Sequence, residues 1–368
     1  MKICYVADGA SIHTQRWVNY FAKKKHEVHL ICWKLMSGYD ENIHIHLLTR
    51  LAPKIWKVSQ YPSALLWIFQ TRRLIKRIKP DIVHGHFVTV YGSLAACSDL
   101  HPLVVTAWGS DIIYPKKQRV YKPITKYSLK RADLITCDGE NSRDAMINLG
   151  INPEKIKLIY HGVDTKEFNP SKRDKALIKN SFGKEDFPVV MSARTLDARG
   201  NVETFIKAMP LILNKISDAK FIIGGMGPQE GYLKELAESL GVTGSVRFIG
   251  HIPHDELPKY LASSDVYVST SLVDGGVAVT TLDAMACELP VIITDVGDNS
   301  KWIKDGEDGF VIPTKNPEAL AKKVIYLLEN EEIGKGFGRI NRKLIEEKQE
   351  YAKNMEKMER LYEKLIGV

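Results

Sequence analysis

The order of hydrophobic periods along the chain constrains its fold more than any single motif does. Short apolar runs that read as buried strands alternate with helical periods from the first residues: strand at 2–7, helix at about 14–25, strand at 26–32. The alternation continues with helix at 65–78, strand at 82–84, helix at 90–98, and strands at 103–107 and 134–137. Strands joined by helix-length crossovers pair in parallel, with helices on both faces. The pattern then restarts at 187–193, followed by a helix near 203–216 and strands at 220–223, 246–249, 266–269 and 291–293. A charged stretch from 344 to 365 has helical period and reads as one or two helices. The sequence therefore predicts an α/β protein of two doubly wound, Rossmann-like parallel sheets in series, joined near 164–185, where polar and charged residues interrupt the apolar rhythm.

At 368 residues the chain exceeds what one core usually organises, which agrees with two domains. Apolar residues at 44% and charged residues at 26% exclude a disordered or fibrous protein. Five single cysteines form no CxxC pair or disulfide framework, no export signal precedes the first strand, and no apolar run reaches the length needed to span a bilayer. A cytoplasmic protein is expected. Its charge is uneven, with 22 Lys and Arg against 11 Asp and Glu in residues 1–150, and 30 against 33 in the remainder. A basic first half either is simply well solvated or meets an anionic partner such as a membrane surface, a phosphorylated lipid or a nucleic acid. Ile55-Trp56-Lys57, Trp67-Ile68-Phe69 and Arg72, Arg73, Lys76, Arg77 and Lys79 mix aromatics with cations, as lipid-docking surfaces do. No nucleic-acid module is present, and no nucleic-acid partner is expected.

In open α/β sheets ligands bind beyond the carboxyl ends of the strands, and two such sheets facing one another would form a cleft. The strand exits are therefore where chemistry is expected. Asp8-Gly9-Ala10 leads into a helix carrying His13, where a glycine turn and a helix start suit a phosphate or sugar, though every βαβ unit needs such a turn. His84 and His86 leave another strand. They lack a third ligand at zinc spacing, so no metal is expected, and His86 is a candidate hydrogen-bonding group in the cleft. Trp108, followed by Asp111, is either a core aromatic or a wall against which an acceptor packs. In the second half Arg194 and Arg199 sit on one exit loop, as a pyrophosphate would require, or as a surface loop can. Gly224-Gly225-Met226-Gly227 is a weak dinucleotide signature. Asp274-Gly275-Gly276-Val277-Ala278-Val279 then runs into a helix bearing Asp283. Amides there suit an anion and carboxylates suit sugar hydroxyls, with a capped core helix as the plainer reading.

The order of these motifs resembles that of the retaining GT-B glycosyltransferases of family 4, the glycosyl transferases group 1. Matching stretches are 8–13, 80–86, 159–164 with Phe168 and Pro170, 194–200, 224–228, 269–285 and 305–313, covering nearly the whole chain. The resemblance implies an acceptor domain over 1–165 completed by a final crossing helix at about 350–368, and a nucleotide-sugar domain over 166–349. It also implies transfer from a UDP- or GDP-sugar to a hydroxyl, lipid-linked or on a growing glycan, with retention by front-face substitution. No cofactor is implied beyond the co-substrate. Carried onto this chain, Arg194 and Arg199 grip the diphosphate, Asp283 the ribose and Asp274 the donor sugar. Gly225 and the amides of Gly276, Val277, Ala278 and Val279 line the donor, and Gly9 and Ala10 complete the cleft. His13, His86, Trp108 and Asp111 are acceptor-side residues. A sugar-nucleotide epimerase on the same fold is the alternative, and a nucleic-acid-binding protein using the basic half is a remoter one. The family's paired glutamates, seven residues apart, are replaced by aspartates with eight between, and strict spacing would put Gly275 in the first position. Arg199 stands for the usual lysine, Trp108 for a common histidine, and His161 for a common asparagine.

Overall fold

A computed structural model describes residues 1–49, 61–113, 115–183 and 187–367. The segment Ile55-Trp56-Lys57 and the end of the polar join, 184–186, lie outside the described residues. The chain forms two compact units, one of Met1–His161 with Lys353–Val368 and one of Gly162–Ala352.

The first unit contains β1 (Lys2–Val6), β2 (Glu27–Cys32), β3 (Ile43–Leu47), β4 (Ile82–His86), β5 (Leu103–Ala107), β6 (Leu134–Cys137) and β7 (Ile156–Leu158). They hydrogen bond in the order β3-β2-β1-β4-β5-β6-β7, every pair parallel. Strand order reverses between β1 and β4, so their carboxyl ends flank the crevice where such sheets bind ligands. Cys4, Val6, Val83 and Val105 bury one face against Ile75, Leu94 and Ala95. The opposite face meets the helix Ile12–Lys23, which buries Trp17, Val18, Phe21 and Ala22 along one stripe.

The helix Tyr351–Ile366 completes that second face. Its buried Met355, Met358 and Tyr362 fall at i, i+3 and i+7. The Tyr362 ring lies 5.2 Å from that of Phe21. Its hydroxyl bonds to the Tyr5 hydroxyl at 3.2 Å and to His84 Nδ1. A fully buried side chain of this kind contributes about 1.5–3 kcal/mol, so the far end of the chain is part of the first unit's core.

The second unit contains β8 (Val189–Ala193), β9 (Lys220–Gly224), β10 (Val246–Gly250), β11 (Val266–Ser269), β12 (Val291–Thr294) and β13 (Phe310–Ile312), ordered β10-β9-β8-β11-β12-β13 and again all parallel. Alternate residues feed two cores: Val190, Phe221, Ile223 and Val268 on one face, Met191, Ile222, Tyr267 and Ile293 on the other. That alternation is why these strands read as unbroken apolar runs. Here the order reverses between β8 and β11.

Candidate functional site

Each sheet presents polar chemistry at its own reversal point. In the second unit, Arg194 follows β8 directly, and its amide donates to Gly224 O at 3.1 Å. The side chain turns inward, where Nη2 donates to Asp274 Oδ1 at 2.6 Å. Burial works against the guanidinium charge, but the carboxylate of Asp274, helped by Tyr267 and Asp197, outweighs it and raises the pKa. Arg194 is therefore a permanent buried cation held by one acid. Its Nε makes no protein hydrogen bond among the described residues.

Gly225 is required by the close approach of two exit loops. Its φ is +123°, and a Cβ there would stand 2.0 Å from Arg194 O. The loop of Arg194 is also tied to the one after β11, through Leu272 N to Arg199 O at 2.8 Å and Asn201 Nδ2 to Thr270 O at 3.0 Å. Thr280, in the first turn of the helix Val279–Ala286, donates to Ala193 O at 3.0 Å and accepts from Tyr267 Oη at 2.8 Å. These bonds fix the start of that helix beside Arg194. Ala278, its N-cap residue, supplies no side-chain cap, and no acid occupies the first turn. Amides from Gly276 to Val279 thus lead into a helix terminus of positive potential. Asp283 lies in the second turn, 2% exposed.

Arg199 takes a different position from Arg194. Its Nε and Nη2 both donate to Asp197 Oδ2, at 2.8 and 2.5 Å, and nearly half of its side chain is exposed. Asp197 Oδ1 meanwhile accepts from the amides of Arg199 and Gly200. The two arginines of one loop are therefore a buried cation and a rim cation, each with its own aspartate.

In the first unit, the carbonyl of Gly9 accepts from Met36 N at 2.9 Å and Tyr39 Oη at 3.0 Å. A Cβ at Gly9 would lie 2.4 Å from Lys34 O. Close packing against the loop after β2 thus accounts for this glycine. Ala10 is exposed beside it, its amide donating to Asp8 Oδ1 at 3.0 Å.

His13, Trp108 and His161 form a ring stack. His161 lies over Trp108 with centroids 4.5 Å apart and planes 24° apart, and His13 is 4.7 Å from His161. His161 Nε2 is 2.9 Å from Asp138 Oδ2, which orients the imidazole. Beneath the stack, His86 is 1% exposed, with rings of His84, Trp17, Trp108 and Tyr5 centred 4.6–5.5 Å away. Burial, then the neighbouring His161, pushes its pKa down to about 3, so the ring is neutral. Neither ring nitrogen has a hydrogen-bond partner among the described residues.

Asp111 requires a correction to the sequence reading. It is 1% exposed, and its two oxygens accept from Val88 N at 2.6 Å and Trp108 N at 3.0 Å. Both oxygens are engaged in bracing the exits of β4 and β5, so Asp111 positions Trp108 and does not present a ligand group. The sequence reading also missed His161 and Asp138 as members of this site. The available signal was Asp138-Gly139 directly after β6, repeating the Asp8-Gly9 pattern after β1.

Comparison with known proteins adds to this geometry. Residues 174–351 match the family model described as Glycosyl transferases group 1, and residues 2–139 match that described as Glycosyl transferase 4-like. An uncharacterized glycosyltransferase of Methanocaldococcus jannaschii is 27% identical over 86% of this chain and 84% of its own. A GDP-mannose-dependent alpha-(1-6)-phosphatidylinositol monomannoside mannosyltransferase of Mycolicibacterium smegmatis is 27% identical over 80% of this chain and 79% of its own. The crystal structure of Anabaena HepE in complex with UDP-glucose superposes with a TM-score of 0.80 at 16% identity, covering 99% of this chain and 100% of that one.

Proposed function

The chain belongs to the glycosyl transferases group 1 and is a glycosyltransferase of GT-B fold, and on that premise we propose that it moves a glycosyl group from a UDP- or GDP-sugar to a hydroxyl acceptor with retained anomeric configuration. The observation that carries this reading is Arg194, a buried cation held by Asp274 beside the uncapped start of the helix Val279–Ala286. A fixed guanidinium and a row of amides are what a diphosphate needs.

In the proposed reaction the acceptor oxygen bonds to the anomeric carbon as the bond to the diphosphate oxygen breaks on the same face. The acceptor proton passes to that phosphate oxygen, and a nucleoside diphosphate leaves. Arg194 stabilises the charge that develops on the leaving group, and Arg199 adds a rim cation. Asp283 takes the ribose hydroxyls and Asp274 a hydroxyl of the donor sugar, while it also orients Arg194. The His13–Trp108–His161 stack and His86 form the acceptor side. The two named proteins support the donor class, one being GDP-mannose-dependent and the other bound to UDP-glucose.

The acceptor is proposed to be membrane-proximal. On the helix Tyr61–Ile78, Leu65 and Phe69 are 70% and 63% exposed, and Arg72 and Lys76 continue the same stripe at i+7 and i+11. No helix among the described residues is long and apolar enough to cross a membrane, so contact of this kind would be peripheral.

The donor assignment is tested by thermal unfolding with UDP-, GDP- and ADP-sugars, since a bound ligand raises apparent stability by mass action. One nucleotide class raising Tm, followed by turnover with retention, is expected. No shift with any of them refutes the assignment.

A further inference from the structure

The outer edge of the first sheet carries chemistry that the transfer reaction does not use. β3 reads Ile43-His44-Ile45-His46-Leu47 and has β2 as its neighbour. In the parallel register His44 stands opposite His29. Side chains two apart on a strand share a face, so Glu27, His29, His44 and His46 emerge together. The rings of His44 and His46 stack on that of His29, at centroid distances of 4.7 and 5.3 Å. One donor atom each from Glu27, His29 and His44 lie within 4.8 Å of one another.

We propose that Glu27, His29 and His44 bind a divalent transition-metal ion, with His46 as the outer partner that orients His29. Two imidazoles and a carboxylate suit zinc, copper or nickel, and three protein ligands leave a further position to water. At ordinary zinc–ligand lengths, neighbouring ligand atoms stand about 3.3 Å apart. His29 Nε2 and Glu27 Oε1 already stand at 3.1 Å. His44 is exposed, and since its donor atom lies within 4.8 Å of the other two, a movement of at most about 1.5 Å at its nitrogen closes the set. His29 offers Nε2 to the metal and has His46 Nε2 at 3.0 Å from its Nδ1. That is the arrangement in which a ligating imidazole donates its other N–H to a second group, fixing the tautomer. The opposing feature is Lys2, whose ammonium is 3.1 Å from Glu27 Oε1. The metal replaces that contact, and Lys2 keeps the Ile78 carbonyl at 3.3 Å. A bound ion would link β2 to β3 through side chains, clamping the edge strand of the sheet.

The test titrates zinc chloride into the full chain, without a histidine tag, against a chromophoric chelator. About one equivalent is expected to bind, with thermal unfolding shifted upward. His44→Gln and Glu27→Gln each weaken binding at least tenfold; both positions are exposed, so folding is not at stake. His46→Gln weakens it about 10–100-fold, as loss of an outer partner does. Lys2→Met tightens it by removing the competing ammonium, and His251→Gln, on the other unit, leaves it unchanged. Absence of stoichiometric binding by the wild-type chain overturns the proposal. So does wild-type affinity in both His44→Gln and Glu27→Gln.

Discussion

Removing Arg194 separates the stability of its loop from the chemistry proposed for it. In Arg194→Ala the carboxylate of Asp274 keeps its burial and loses the guanidinium that donates to its Oδ1. Side-chain exposures of 16% for Arg194 and 11% for Asp274 make this a largely desolvated pair. Removing one member of a buried pair costs 3–5 kcal/mol, and the residual exposure argues for the lower end, about 3 kcal/mol. For a unit of this size that corresponds to a fall in Tm of roughly 6–12 °C. In Arg194→Ala/Asp274→Ala no stranded charge remains, so at least half of the lost stability returns. Turnover does not return with it. Loss of one electrostatic donor to a leaving group lowers the rate by about 100-fold or more, and the double variant keeps that deficit. Thermal unfolding and initial-rate assays on the two variants read the two effects separately. Equal Tm values in the single and double variants would refute the stranded-charge argument. Wild-type turnover in Arg194→Ala would refute the role in leaving-group stabilisation.

Gly225→Ala forces a side chain into a φ of +123° and against Arg194 O. It is expected to cost about 2 kcal/mol or more and to raise KM for the donor, while unchanged thermal unfolding would refute the packing argument. Asp111 has its pKa raised to about 6 by burial, which outweighs the hydrogen bonds that lower it. The native state then binds more protons than the unfolded state between the ordinary carboxyl value of 3.8 and about 6, so the Asp111 contribution to stability falls as pH rises through that window. Asp111→Asn removes this slope and leaves one amide unpaired at about 1–3 kcal/mol; parallel pH–stability curves for the two proteins would count against it. Sedimentation with anionic vesicles is expected at low salt and not at high salt, with Phe69→Asp and Arg72→Glu each weakening it. No binding at either salt ends the membrane reading.

The sheets were legible because most of their strands, β1, β4, β5, β8 and β11 among them, are buried on both faces, which leaves apolar runs separated by helical periods. β3 escaped because its alternating histidines break the run, and β13 because Phe310–Ile312 is only three residues long. Arg194, Asp274 and the Gly276–Val279 turn stand out in sequence by residue type and order, and the structure brings Arg194, Asp274 and the start of the helix Val279–Ala286 together. That Arg194 and Asp274 bond directly could not be read, since they are separated by 80 positions. Asp111 was misread for a related reason: an acid at a strand exit looks alike whether it faces a ligand or two backbone amides. The His161–Trp108 stack depends on three strand exits meeting, which no local pattern records.

The helix Tyr351–Ile366 gives the chain an order of completion during synthesis. β1 precedes the helix in synthesis, and the Tyr362 side chain that packs on Phe21 and bonds to Tyr5 emerges some 357 positions after Tyr5. The second unit is contiguous in sequence and can close its cores as its own residues appear. The first unit must wait with Tyr5, Phe21 and His84 incompletely covered, and transiently exposed apolar surface of this kind invites aggregation or chaperone capture. The first unit, most of which precedes the second in the chain, is therefore finished after it, and a nascent chain arrested before Tyr351 would hold a folded second unit and an open first sheet.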